Sequence, residues 1–202
     1  MSSAKTANAQ RRNVFIWVAH PNADSLCASL ADRYASGAKA KGANVRHMAL
    51  SEMDFDTDGP SLKGTEGLEP DLVAWQQNVA WADHILIVHP YWWASMPARA
   101  KAVLDRGLSS GFAYQYTGRG MGWNKLLKGR SGDAIITSDT PPLLDTLLYR
   151  KPGRRVLRNQ VFDFVGIKAR KILQLGSVKL AKPEKIESWL KQAEQLGMKA
   201  AR

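Results

Sequence analysis

Apolar and polar positions follow two periods along the chain, and these divide it into strands and helices. Val14 to Ala19, VFIWVA, is an unbroken apolar run rich in β-formers, the signature of a strand buried on both faces. The polar break HPNADS follows. Leu26, Leu30, Tyr34 and Ala38 then recur at four-residue intervals, which predicts one apolar helix face. Asp24 or Ser25 is the expected N-cap, and Gly42 lies just past the end. Asn44 to Leu50, NVRHMAL, is more polar and reads as an edge strand. A loop rich in Gly, Asp and Pro runs from Ser51 to Pro70, and a helix is predicted from Asp71 to about Trp81. A second apolar run, Ile85 to Val88, stops at His89 and Pro90 and gives way to Tyr91, Trp92 and Trp93. Pro97 opens a helix to Leu108. The stretch SSGFAYQYTGRGMGWNKLLKGR reads as irregular. Asp133 to Thr137 is a short buried strand ending in SDTPP. Leu143 to Gly166 reads as helix in two pieces, broken near Pro152 and Gly153. Arg170 to Val178 is the last strand and Pro183 to Met198 the closing helix.

Five strands alternating with helices predict an α/β three-layer sandwich, a five-stranded parallel sheet covered on both faces. The small doubly wound arrangement of this kind has the order 2-1-3-4-5. Its ligand crevice lies outside the carboxyl ends of strands 1 and 3, where the order reverses. HPNADS and PYWWASMP are the loops that fall there. Aromatic side chains are costly to expose, so Tyr91, Trp92 and Trp93 either plug the core or wall a site for a flat ligand. Alternation predicts that at least one packs under the following helix, with Met96 as core filler or ring contact.

The length of 202 residues suits one domain, placed at 13–202 behind a flexible tail at 1–12. That tail lacks the apolar centre of a secretory signal, and no run is long enough to span a bilayer. The single cysteine, Cys27, fits a reducing compartment, and the cytoplasm is the expected location. The net charge of +11 attracts anions. It concentrates between Arg150 and Lys171, where eight basic residues face one acid, Asp163. A solvated basic face, a phosphorylated ligand or a subunit contact would each account for it.

Three loops carry candidate chemistry. AHPNADSLCASL brings a strand end into a helix start, whose free N–H groups and dipole seat an anion. Ser25 adds a hydroxyl and His20 a donor. The loop has neither the glycines of a dinucleotide turn nor the Gly-Lys-Ser/Thr of a P-loop. PYWWASMP offers rings beside that seat. Thr137, Ser138, Asp139 and Thr140 offer N–H and hydroxyl groups to the polar edge of a heterocycle. No Cys/His cluster has metal spacing, so no metal site is expected, and no Gly-x-Ser-x-Gly elbow suggests an esterase. His47 and His84 read as structural.

VAHPNADSLCASL, then ADHILIVHPYWWASMPARAKAVLDR, then GFAYQY, resemble the flavodoxin-like NAD(P)H:quinone oxidoreductases. That family includes the DT-diaphorase type, the bacterial drug-activity modulators and the ancillary subunits of potassium efflux systems. The stretch SDTPP…RKPG…FVGIK looks like a bacterial oxidoreductase subgroup. The resemblance implies a flavodoxin-like fold and a non-covalent flavin, FAD or FMN, with NAD(P)H as co-substrate and a quinone-like acceptor in ping-pong order. By matching motifs, His20, Ser25, Leu26 and Cys27 would hold the phosphate. Pro90, Tyr91, Trp92 and Trp93 would line the isoalloxazine, and Thr137, Ser138 and Asp139 its pyrimidine edge. It also implies a homodimer with GFAYQY at the contact. The DT-diaphorase branch has two glycines after strand 4 where this chain has Asp139 and Thr140, and a tyrosine–histidine pair that does not transfer. Tyr149 is the one catalytic candidate left. One basic residue between Arg150 and Arg158 is a candidate for the phosphate that distinguishes NADPH. Two other readings stand beside the enzyme: a flavin-binding subunit of a membrane transport system, and a nucleic-acid-binding α/β protein. The second is disfavoured because the aromatics lie by strand 3 and the charge much later in the chain.

Overall fold

A computed structural model describes residues 11–59, 64–118 and 120–202. Most of the expected tail lies outside the described residues, as do parts of the loops at 60–63 and 119. Five parallel strands form the central sheet: β1 (Asn13–Val18), β2 (Asn44–Ala49), β3 (His84–Pro90), β6 (Ser131–Thr137) and β7 (Lys168–Leu175). Their order is β2-β1-β3-β6-β7, so the predicted 2-1-3-4-5 arrangement holds. β2 is the predicted edge strand. β3 and β6 are buried at every position, as continuous apolar runs in a parallel sheet require.

The two faces of the sheet are covered by different helices. On one side lie α1 (Leu26–Ala40) and α6 (Pro183–Ala200), which pack on Val14, Ile16, Leu86 and Val88. On the other lie α2 (Pro70–Trp81) and α3 (Ala98–Gly107), with a helical segment that opens as α5 (Pro152–Arg155) and continues as π-helix through Val156–Asp163. These pack on Phe15, Trp17, Ile85 and Ile87. Alternation along β1 and β3 sends successive side chains to opposite layers. Ser25 caps α1, its Oγ accepting the Ala28 N–H at 3.3 Å. α1 and α6 touch backbone to backbone. A Cβ on Gly37 would stand 2.1 Å from the Glu194 carbonyl oxygen, and one on Gly197 2.0 Å from that of Tyr34. Only glycine permits this approach.

Three expectations need correcting. The stretch from Ser109 to Arg130 is not wholly irregular: β4 (Tyr114–Tyr116) pairs antiparallel with β5 (Trp123–Lys125). Trp123 stacks on Phe164 at 4.7 Å and donates its indole N–H to the Phe164 carbonyl at 2.8 Å, anchoring the hairpin. Strand β3 does not end at Val88 but runs through His89 and Pro90, both buried. Pro90 is tolerated because it is the last strand residue, and the ladder resumes with Tyr91 N–H donating to the Thr137 carbonyl at 2.7 Å. Finally, none of the three aromatics lies under α3. Met96 packs on the core instead.

Candidate functional site

The loop after β3 leaves the core through a tight turn. Trp92 and Ser95 exchange backbone hydrogen bonds at 2.9 and 3.0 Å. Trp93 and Ala94 take left-handed φ values of 53° and 58°, which bulky residues seldom adopt. The turn aims Trp92 and Trp93 outward: Trp92 is 46% exposed and Trp93 101%. Tyr91 is half-buried, and its hydroxyl oxygen accepts the Gly153 N–H of α5 at 2.8 Å. Burial and nearby Asp145 raise the phenol above its ordinary pKa, so it keeps its proton.

The loops after β1 and β6 meet this one. His20 lies edge-on to Trp92, ring centroids 6.0 Å apart. Its Nδ1 accepts the Asn22 N–H at 3.0 Å, which leaves the proton on Nε2. Burial lowers the imidazole below its ordinary pKa, so His20 is a neutral Nε2–H donor at pH 7. The first N–H groups of α1, those of Leu26 and Cys27, have no acceptor within the helix. Cys27 Sγ lies 3.4 Å from Thr137 Oγ1 and ties the start of α1 to the end of β6. Burial pushes this thiol up to about 11, so it is no nucleophile at neutral pH.

Past β6, the polar groups are largely spent within the chain. Ser138 donates its N–H to the Leu175 carbonyl at 2.8 Å and its hydroxyl to the Thr140 carbonyl at 2.8 Å. Asp139 Oδ1 accepts the Lys179 N–H at 2.9 Å. Thr137 and Ser138 are buried, whereas Asp139 is exposed and Thr140 half-buried. Thus the structure brings His20, Ser25, Leu26, Cys27, Pro90, Tyr91, Trp92, Thr137, Ser138 and Asp139 to the carboxyl end of the sheet, with Trp93 on the same loop. Tyr149 lines a different cavity, with Arg150 and Arg155.

Two neighbouring features escaped the sequence reading. His89 is 2% exposed; its Nδ1–H donates to the Pro90 carbonyl at 2.9 Å, and its Nε2 has no partner among the described residues. The segment after β6 forms α4 (Pro142–Leu147) and α5, latched by a buried pair: Arg154 Nη2 donates to Asp145 Oδ2 at 2.7 Å and to Thr146 Oγ1 at 2.8 Å. Gly153 then docks so closely that a Cβ would meet Tyr91 Cε1 at 2.4 Å and the Ala94 carbonyl oxygen at 2.6 Å. The Pro-Gly pair at 152–153 is the sequence signal for this contact, and on its own it predicts only a helix break.

A parallel sheet whose order reverses between β1 and β3, with a helix start and an outward aromatic turn at that point, is a doubly wound α/β fold. The chain belongs to the flavodoxin-like fold family, which it matches over residues 12–196. A relative named as an uncharacterized NAD(P)H oxidoreductase, from Haemophilus influenzae, is 31% identical over 182 residues, 83% of this chain and 85% of that protein. Two solved structures share the fold. The NAD(P)H:quinone oxidoreductase of Methanothermobacter marburgensis has a TM-score of 0.74 at 20% identity, covering 93% of this chain and 96% of its own. An FMN-dependent NADH-azoreductase of Bacillus anthracis, in complex with FMN, has a TM-score of 0.74 at 18% identity, covering 95% and 100%.

Proposed function

We propose that the protein is a flavin-dependent NAD(P)H oxidoreductase that delivers a hydride to a quinone-like acceptor. The observation that carries this reading is the convergence of the loops after β1, β3 and β6, with Trp92 set edge-on to His20 and Cys27 against Thr137. A flat cofactor needs an anion seat, an apolar wall and a polar edge, and these loops offer one of each. The Leu26 and Cys27 N–H groups, the Ser25 loop and His20 Nε2–H would hold the phosphate. Pro90, Tyr91, Trp92 and Trp93 would line the ring. Thr137 and Ser138 hold their loop in shape, so that the N–H groups at Asp139 and Thr140 reach the ring's polar edge. Bound flavin would supply hydride transfer, taken from NAD(P)H and returned to the acceptor in ping-pong order. Tyr91 has its hydroxyl proton free to donate, whereas Tyr149 is not brought to these loops. The FMN bound to the azoreductase relative favours FMN over FAD.

The quinone-like acceptor follows the named activity of the Methanothermobacter protein. A homodimer is supported by the apolar surface of α4, where Leu143, Leu147 and Leu148 stand exposed, and by exposed Tyr116 on the β4–β5 hairpin. The buried free thiol of Cys27 suits a reducing cytoplasm. Among the described residues, no helix is long and apolar enough to cross a membrane. The test is a visible spectrum after incubation with FMN or FAD and desalting, followed by anaerobic NAD(P)H. The expected result is a retained flavin band that bleaches and recovers on addition of a quinone. Well-folded protein that retains neither flavin would overturn the reading. Sedimentation of wild type against Leu147→Glu tests the dimer, which the charge should split.

A further inference from the structure

Gly153 touches the aromatic loop, and Pro152 beside it helps line an open surface cavity of about 270 Å³. The lining divides by chemistry. Tyr149 and Val156 are apolar and half-exposed, whereas Arg150, Arg155, Asn159 and Gln160 carry donors. No acidic side chain lines it. The arginines of this segment divide in the same way. Arg154 is spent on Asp145 and Thr146, and the Arg158 guanidinium reaches the Ala169 carbonyl at 3.4 Å. Arg150 and Arg155 form no ion pair among the described residues, and both line the cavity. Arg150 is also held in the left-handed region, at φ 59°, a conformation that persists where surrounding structure enforces it. Asn159 and Gln160 project from a π-helical turn, a rare geometry that recurs at binding sites.

We propose that this cavity receives the phosphorylated adenosine end of the reduced dinucleotide, with Arg150 and Arg155 taking the 2′-phosphate of NADPH. The proposal rests on the oxidoreductase reading above. A phosphate monoester carries nearly two negative charges, and a guanidinium binds it with two parallel hydrogen bonds. Tyr149 and Val156 give a purine an apolar surface beside that anion seat. The volume suits one end of a dinucleotide rather than the whole. The nicotinamide end would then lie across the Gly153 contact, at the tryptophans. NADH lacks the 2′-phosphate and would leave both arginines without a partner, so the cavity selects NADPH.

Calorimetric titration of the purified protein with adenosine 2′,5′-bisphosphate and with 5′-AMP tests this independently of catalysis. The bisphosphate is expected to bind at least about tenfold more tightly, and Arg150→Gln and Arg155→Gln each to remove most of that preference. In the flavin-loaded protein the same substitutions should lower the ratio of kcat/KM for NADPH over NADH by about tenfold. Neither side chain is hydrogen-bonded or ion-paired among the described residues, so the variants should melt with the wild type. Equal binding of the two nucleotides, or variants that keep the NADPH preference, would overturn the proposal even if flavin is retained and reduced. A bisphosphate preference lost in the variants, in protein that takes up no flavin, would keep the cavity's assignment and sink the oxidoreductase reading instead.

Discussion

At the amino-terminal end of the sheet, Tyr34, His84, Ser131 and Asp133 are buried together, and their hydrogen bonds close. Tyr34 donates to Asp133 Oδ2 at 2.9 Å and lies 2.8 Å from His84 Nε2. With the phenol proton committed to Asp133, His84 Nε2–H donates to the tyrosine oxygen. His84 Nδ1 then accepts from the Ser131 hydroxyl at 2.7 Å, and Ser131 accepts from Arg12 at 2.6 Å. The Lys171 N–H completes Asp133 at 3.0 Å. At the carboxyl end, His89 Nε2 and Gln174 Oε1 are buried without partners among the described residues, and two tryptophans face solvent. Buried polar groups are normally satisfied, so the saturated cluster is structural, and the carboxyl end differs from it in leaving polar groups and aromatic rings open.

The sharpest way to break this contrast is at the saturated end. Burial works against the Asp133 carboxylate, yet the His84 imidazole 3.3 Å away, the Tyr34 hydroxyl and the Lys171 amide hold its pKa below the ordinary value. Asp133→Ala strands the Tyr34 hydroxyl and the Lys171 amide in the core and should cost about 3 to 5 kcal/mol in urea denaturation. Flavin uptake per folded molecule should not change.

His89 makes the second test, through pH. Burial lowers its pKa from 6.5 to about 4. The unfolded chain therefore binds a proton that the folded one refuses between those values. The stability from keeping this imidazole neutral is fully present above pH 6.5 and is lost as pH falls toward 4, by about 3 kcal/mol. His84 is lowered in the same direction, again by burial first, so both contribute to acid sensitivity. His89→Asn should flatten the slope in that window while leaving the share of His84. An unchanged slope would mean that His89 takes up its proton alike in the folded and unfolded chain.

The architecture was legible because it is written in runs that side-chain neighbours reinforce. VFIWVA and DAIIT admit few alternatives to buried strands, and the Leu26–Ala38 spacing sets one helix face. Less visible was anything that depends on where a turn aims its side chains. PYWWASMP names a site but not the two left-handed residues that push its tryptophans outward. YQY and WNK are too short for strand periodicity to emerge, and their pairing depends on Phe164, some forty residues away. The partner of Tyr91 is a glycine whose value lies in lacking a side chain, which no motif announces.

That glycine supplies a milder perturbation. Gly153→Ala places a methyl 2.4 Å from Tyr91 Cε1 and 2.6 Å from a backbone oxygen, so α5 or the aromatic loop must move. Overpacking of this kind costs about 1 to 3 kcal/mol. Tyr91→Phe removes only the acceptor for the Gly153 N–H and should cost about 1 kcal/mol. If both variants also weaken flavin retention, Tyr91 is positioned by α5 as the geometry requires. Weakened stability with flavin retention intact would detach the ring wall from Tyr91.

Trp93→Ala should change stability least of all, because the indole covers nothing in the folded chain. A shift within about 0.5 kcal/mol is expected for such a surface position, and the left-handed φ of 53° strains tryptophan at least as much as alanine. Trp17→Ala is the matched control. Trp17 is fully buried and packs edge-on against Trp75 at 5.4 Å, and its loss should cost about 3 to 5 kcal/mol. Flavin affinity should reverse the ranking. On the proposed reading Trp93 would contribute a stacking face of about 1 kcal/mol, roughly a fivefold change in dissociation constant, read by fluorescence quenching on titration. Folded Trp17→Ala protein should bind as the wild type does. Were Trp93→Ala to bind flavin unchanged while losing self-association instead, the exposed indole would belong to the partner contact beside α4 and not to the ring.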